Sequence, residues 1–333
     1  MSNLAELLKR AIVRENRDPG DTFDAYFGEC RKMFKFCGKP ASQWTGRDVE
    51  EYIWQVLHAK NYSRSSRKNY LCAMAFMFKH VRHEDMGQLK LPPMPAYRKP
   101  LKIIPSQDEL REIFRRMTGN PRMAALLMYG SGTRVGETCE LRIQDIDLAA
   151  RTVRLNEGKG GKYRLSILPE CLVKPLQEHI ARGKCLWEKD KTQGAGLVEL
   201  PHQLARKYPN APREFRWQFL FPSAVRRGQF RWHMTRKFVE DELKAAVEAA
   251  GIIKRITPHT LRHAFCTHGL RAGNDPATMM ELMGHEDLNT TALYAHADRA
   301  SGISPMDVTI PARQTSIFVP PMEPRRIEFS TRT

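Results

Sequence analysis

The 333-residue chain has no hydrophobic run long enough to span a bilayer. Its longest, Met123 to Tyr129, falls well short of the ~20 apolar residues a spanning helix needs. The amino terminus, MSNLAELLKR, has no long apolar stretch either, so a soluble, intracellular protein with no membrane partner is expected. Paired cysteines are also missing: seven cysteines with no CxxC argue against a disulfide framework and fit a reducing cytosol. Cys30 and Cys37, with His80 and His83 downstream, have the composition of a zinc site. The two cysteines stand seven apart amid Phe27, Met33, Phe34 and Phe36, however, and read as helix core. No internal repeat or low-complexity tract stands out. Acidic residues are scarce relative to basic ones, 37 against 54, a surplus of 17 positive charges. That excess favours a polyanionic partner, with nucleic acid the first choice. Dividing the chain after Pro100 leaves 18 basic and 11 acidic residues before it (+7) and 36 and 26 after it (+10), so both halves can face the same polyanion.

The length and the 41% hydrophobic content suit two domains. From about Thr22 to His80 the pattern is helical: Phe23, Tyr26, Phe27, Cys30, Phe34 and Cys37 recur at three and four, as do Leu71, Met74, Ala75 and Phe78. Arg64, Arg67 and Lys68 open the last of these helices beside Ser63, Ser65 and Ser66, which suits a phosphate-facing helix start and equally a solvated face. Between Leu91 and Pro105, five prolines interleave with Arg98, Lys99 and Lys102; this composition resists helix and reads as an extended basic linker lying along DNA. Helical patterns resume at Gln107–Met117 and Met123–Tyr129. A hairpin follows, Thr152–Leu155 and Tyr163–Ile167, around GKGGK. The stretch from Trp187 to Gln229 differs in texture, with Pro201, Pro209, Pro212 and Pro222 among Tyr208, Phe215, Trp217, Phe219 and Phe221, and reads as an insertion with its own packing role. A helix is expected over Thr235–Ala250, and the prolines after Ser304 argue against a long terminal helix and fit partial disorder.

Three segments can carry chemistry. In ITPHTLRHAFCTHGL, Thr257-Pro258 has the form of an N-cap and first helical residue, so His259 and Arg262, three apart, share a face near a helix start that favours an anion. A capped core helix with a surface arginine is the plain alternative. In LMYGSGTRVGETCELRIQDID, Gly130, Gly132 and Gly136 surround Arg134, whose planar fork suits bidentate phosphate binding; pairing with Glu137 or Asp145 to orient a turn explains it as well. In ELMGHEDLNTTALYAH, Gly284 can stop a helix and leave His285 exposed, with Thr290 or Thr291 capping a short helix that holds Tyr294. A lone tyrosine there is ordinarily a packing residue. Gly158-Lys159-Gly160-Gly161-Lys162 places Lys159 near a hairpin tip but lacks the GxxxxGKS or GxxxxGKT form of a nucleotide triphosphate loop.

Taken in order, Arg134, Lys159, His259, Arg262, His285 and, nine residues on, Tyr294 resemble the catalytic set of the tyrosine recombinase (phage integrase) family. YGSGTRVGE, GKGGKYR, HTLRHAFCTH and LMGHEDLNTTALYAH resemble its motifs, strongly over Lys102 to His296 and weakly in the helical region before. ELPHQLARKYPNAPREFRWQFLFPS resembles the insertion of integron-type integrases. The resemblance implies a mainly α (α+β) fold: an N-terminal helical, SAM-like core-binding domain (1–90), a Pro-rich basic linker (91–105), a mostly helical catalytic domain with a small β-hairpin sheet (106–304, insertion about 190–230) and a tail (305–333), closing as a C-shaped clamp on DNA. It implies a bacterial or phage-encoded, cytoplasmic, nucleoid-associated DNA-breaking and rejoining enzyme that integrates and excises DNA through a 3′-phosphotyrosyl intermediate. Tyr294 would be its nucleophile, with no cofactor and no metal. The partner would be a double-stranded or structured DNA recombination site, bound as a homotetramer on two sites. Glu137 is the candidate that orients Arg134. Arg64, Arg67, Lys68, Lys99, Lys102, Lys162, Arg164, Tyr208 and Trp217 are the candidate DNA contacts, the last two at an extrahelical base or a neighbouring protomer. A type IB topoisomerase uses a similar set, and a non-catalytic DNA-binding relative retains the fold. The linker and insertion disfavour the first, and six filled positions disfavour the second.

Overall fold

In a computed structural model of the protein, residues 2–15, 21–96, 103–156, 163–200, 202–284 and 304–308 are described. They fall into two units, one within 1–101 and one within 102–333. No helix among the described residues is long and apolar enough to cross a membrane.

The first unit is helical: α1 (Ser2–Arg14), α2 (Asp21–Cys37), α3 (Gly46–Tyr52) and α4 (Arg64–Phe76). Helix α3 starts on a reciprocal cap, Thr45 accepting from the Asp48 amide while the Asp48 carboxylate accepts from that of Thr45, and α4 starts on Ser63, which accepts from the Ser66 amide. The apolar stripe of α2 centres on Cys30 and Met33, both fully buried against Trp44, Tyr52, Tyr70 and Met74; Phe34, expected inside, is 37% exposed at the stripe's edge. Cys30 is therefore a core residue, and burial pushes its thiol pKa up to about 12. The expectation that Arg67 faces a phosphate is corrected here. It is 3% exposed, and its guanidinium donates to the carbonyls of Tyr62 (3.2 Å) and Pro93 (3.3 Å). A buried guanidinium must be satisfied by acceptors, and these carbonyls strap the start of the linker to α4. Trp54 donates to the Lys90 carbonyl (2.9 Å) and Arg64 to that of Pro95 (3.4 Å), so residues 91–96 belong physically to this unit. Arg64 and Lys68 remain exposed.

The second unit is built around α6 (Gly119–Ser131), in which every side chain from Pro121 on is buried. Such a helix reads apolar all round because neighbours cover it on all sides. It is packed by α5 (Gln107–Arg116), α10 (Arg236–Ala249) and α11 (Pro258–Arg271), while α7 (Val135–Glu140) follows it directly. A three-stranded antiparallel sheet has the order β1 (Ile146–Asp147), β2 (Thr152–Asn156), β3 (Tyr163–Ile167), with Val153 opposite Ser166 and Leu155 opposite Arg164. Strand alternation points Val153, Leu155, Arg164 and Ser166 inward and Tyr163 and Leu165 outward. Long α8 (Glu170–Thr192) leads to the insertion, which contains α9 (His202–Lys207) and has a small core of its own: Val198, Leu200, Ala211 and Phe219. Two arginines tie it down. Arg231 holds the buried Asp190 carboxylate bidentately (2.5 and 2.8 Å), and Arg142 donates to the carbonyls of Trp217 (2.6 Å) and Glu199 (3.0 Å) over the ring of Phe219. Helix α12 (Pro276–Met283) ends at Gly284, left-handed at φ 60° as its position demands. The short α13 (Pro305–Val308) corrects the expectation of a tail beginning at 305. Met306 is fully buried and Asp307 caps α8 through the Glu170 amide (3.0 Å).

His179 on α8 donates to the Leu220 carbonyl (2.8 Å), and burial lowers its pKa to about 4. Because the folded value lies below the unfolded one near 6.5, stability is full above pH 6.5 and is lost as pH falls towards 4. Relative to His179→Gln, which donates but does not titrate, the wild type should lose roughly 2–3 kcal/mol of unfolding free energy between pH 7 and 4.5, measured by urea denaturation. Parallel stability curves would contradict this.

Candidate active site

The site begins where α6 stops. Gly132 takes φ +63°, and a Cβ there would stand 2.5 Å from the Phe265 ring, so only glycine turns the chain here against α11. The turn delivers Arg134 to the N-cap of α7, and Glu137, in the first turn, folds back: its carboxylate accepts from the Arg134 amide (2.7 Å) and from Arg134 Nη1 (2.6 Å). Arg164, inward on β3, places Nη1 and Nη2 on the same carboxylate (3.1 and 2.8 Å) and Nε on the Leu282 carbonyl (3.3 Å). Arg262, one turn into α11, brings Nη1 within 3.9 Å of that carboxylate and donates to the carbonyls of Gly132 and Met283. Arg134 Nη2 reaches the Gly284 carbonyl (3.1 Å).

One carboxylate thus serves three guanidiniums. Two are enclosed, the Arg164 side chain at 7% exposure and that of Arg262 at 1%, while Arg134 is 46% exposed. Burial, and then the neighbouring Arg134 charge, lower the Arg262 pKa to about 9, so it stays a cation at neutral pH. Three positive charges around one negative leave a fixed excess of two, open to solvent through Arg134, and such a centre suits an oxyanion.

Helix α11 starts as its sequence requires, with Thr257 and Thr260 capping each other and Pro258 at the first position. His259 is exposed in the first turn, its ring 4.3 Å from that of His263. Arg262, three residues on along the same helix, runs inward under two carbonyls. Lys159, His285 and Tyr294, and with them Lys99, Lys102 and Lys162, lie outside the described residues.

Arg164 does not sit where a DNA contact would: it is enclosed, and its guanidinium donates to Glu137 and to the Leu282 carbonyl. A charge at an inward strand position is the signal, since it must be paired. Asp145 pairs with Arg154 (3.0 Å) rather than with Arg134. In the insertion, the rings of Tyr208 and Trp217 lie 6.2 Å apart; Tyr208 is 41% exposed, and the enclosed Trp217 Nε1 has no acceptor among the described residues.

The phage integrase family matches residues 106–301, and the phage integrase N-terminal SAM-like domain matches residues 8–88. The chain belongs to the phage integrase family of tyrosine recombinases. An integrase/recombinase of Escherichia coli is 35% identical over 301 residues, 87% of this chain and 89% of the relative. The tyrosine recombinase XerC of Halalkalibacterium halodurans is 30% identical over 75% of this chain and 77% of its own length. Among solved structures, the Tn1549 transposon integrase in complex with transposon right end DNA matches with a TM-score of 0.57 at 18% identity, over 88% of this chain and 95% of that one. XerH bound to a palindromic difH substrate matches at 0.56 and 18%, over 80% and 74%. At these identities the two structures speak to fold, a helical N-terminal domain followed by a mostly helical catalytic domain with a small sheet. The enzyme is a tyrosine site-specific recombinase.

If Arg164 serves Glu137 rather than DNA, Arg164→Met in this recombinase should lower unfolding stability by about 3 kcal/mol, the scale of breaking a buried pair. It should leave the salt dependence of DNA binding unchanged. A salt slope reduced by about one would instead mark a lost phosphate contact.

Proposed function

We propose that the recombinase cuts and rejoins DNA by transesterification at Tyr294. The phenol oxygen attacks a DNA phosphodiester, the bond from phosphorus to the 5′-oxygen breaks, and a 3′-phosphotyrosine and a free 5′-hydroxyl result. A phenol with a pKa near 10 is a weak nucleophile at neutral pH, so the step needs a base and a stabilised transition state. In this reading His259 takes the phenolic proton, Lys159 gives one to the departing 5′-oxygen, and His285 adds a hydrogen bond to the phosphate. Arg134 and Arg262 hold the non-bridging oxygens, each contributing about 3 kcal/mol to the transition state, in the place metal ions fill elsewhere. The 5′-hydroxyl of a partner strand reverses the attack, so no nucleotide cofactor is consumed.

The observation that carries this reading is the shared carboxylate: Glu137 holds Arg134, and Arg262 lies against the same group, 128 residues later in sequence. The carbonyls of Met283 and Gly284 satisfy guanidinium donors that would turn to phosphate when DNA binds. We assign residues 1–90, the linker 91–105 and the catalytic region from 106 to two domains gripping a double-stranded or structured DNA site, four protomers joining two sites. Exposed Arg64 and Lys68, with Lys99, Lys102 and Lys162, are read as backbone contacts. The insertion's separate small core, with Tyr208 at its surface, supports an integron-type reading in which Tyr208 and Trp217 meet an extrahelical base or a neighbouring protomer.

The test uses a randomised pool of nicked suicide duplexes, with covalent adducts trapped in a denaturing gel. The wild type should form an adduct, and Tyr294→Phe should form none while binding DNA within about two-fold of the wild type. An adduct surviving that substitution would refute the assignment.

A further inference from the structure

We propose that His259 and His263 form a two-imidazole site for a transition-metal ion that prefers right-angle coordination, nickel(II) or copper(II), and that an ion bound there blocks cleavage. The blocking rests on the reading of His259 as proton acceptor; the site itself does not. The two histidines stand four apart on α11 and so share one helical face a turn apart. Their ring centroids are 4.3 Å apart and the ring planes are inclined at 71°. His259 is exposed and His263 half-buried, so an ion reaches the pair from solvent without opening the core. With metal–nitrogen bonds of about 2.0–2.1 Å, an ion held at a right angle by one nitrogen of each ring leaves the centroids roughly 4.5 Å apart. A tetrahedral angle spreads them to roughly 5.2 Å. The spacing on α11 fits the right angle. Right-angle positions belong to square-planar and tetragonal copper(II) or nickel(II), whereas zinc favours the tetrahedron.

The surroundings select against harder ions. Arg262 lies between the two histidines in sequence, and with Arg134 and Arg164 it outnumbers the one Glu137 carboxylate. Among the described residues no cluster of three or more histidine, cysteine or carboxylate side chains could hold a metal ion, so the pair supplies two protein ligands. Magnesium and calcium, which need several oxygen ligands, gain nothing there. Only an ion whose bond to neutral imidazole outweighs the arginine field is held, with water in its other positions. Such an ion occupies the ring lone pair with which His259 would accept the phenolic proton. Cleavage then stops while the arginines that hold phosphate are untouched.

The experiment uses the untagged full-length protein and a suicide duplex recovered from the adduct selection. Nickel(II) is the probe, because copper is drawn to thiols such as those of exposed Cys72 and Cys185. In calorimetric titrations the wild type should bind one more equivalent of nickel(II) than either His259→Asn or His263→Asn, and magnesium should give the same trace for all three. His259 is exposed, so its substitution tests the pair without touching the core. At saturating DNA, nickel(II) should slow wild-type adduct formation roughly 100-fold, the scale of a lost general base, and EDTA should restore it. The rate of His263→Asn should change less than about three-fold on adding the same nickel(II). Equal nickel binding by the wild type and either variant would overturn the site. Binding lost in both variants, with wild-type cleavage indifferent to the ion, would leave the metal site standing and remove His259 as proton acceptor, and the blocking with it.

Discussion

Three guanidiniums converge on the Glu137 carboxylate, and the surrounding fold is arranged so that they can. Like charges at this spacing repel, and burying Arg164 and Arg262 without a counter-charge would cost several kcal/mol each. The carboxylate removes most of that cost and directs both side chains. The carbonyls of Gly132, Leu282, Met283 and Gly284 take up remaining donors, so the buried cations are satisfied while Arg134 stays open to solvent.

The larger architecture follows from this constraint. A helix buried on all sides, α6, fixes the point at which Gly132 turns the chain, and α7 starts where Glu137 can reach back to Arg134. Strand β3 must be in register for Arg164 to point inward, and Leu155 opposite it sets that register. Helices α11 and α12 bring Arg262 and the terminal carbonyls of α12 from later in the chain. The insertion has a small core of its own and is tied to the rest of the unit by Arg142 and Arg231.

Local features were legible in the sequence. The Thr257-Pro258 start, the Gly284 stop, the hairpin strands and the pairing of Arg134 with Glu137 all depend on residues within a few positions of each other, where capping and alternation rules act. Features made by distant partners were not. Arg67 and Arg164 read as DNA contacts because an isolated basic residue is indistinguishable from a surface one until its acceptors, the Pro93 carbonyl and Glu137, are brought to it by folding. The Pro-rich stretch after Ser304 read as a tail, yet Pro305 at a helix start followed by an apolar Met306 was a usable signal of docking. Its meaning needed Glu170, far away in sequence.

The central claim is that Glu137 organises the arginines as one unit. A double-mutant cycle on the rate of adduct formation at saturating DNA, with Glu137→Gln and Arg164→Met singly and together, tests it most directly. The double variant should be no slower than the slower single one, a coupling of about 1.5 kcal/mol or more. Losses that simply add would contradict it.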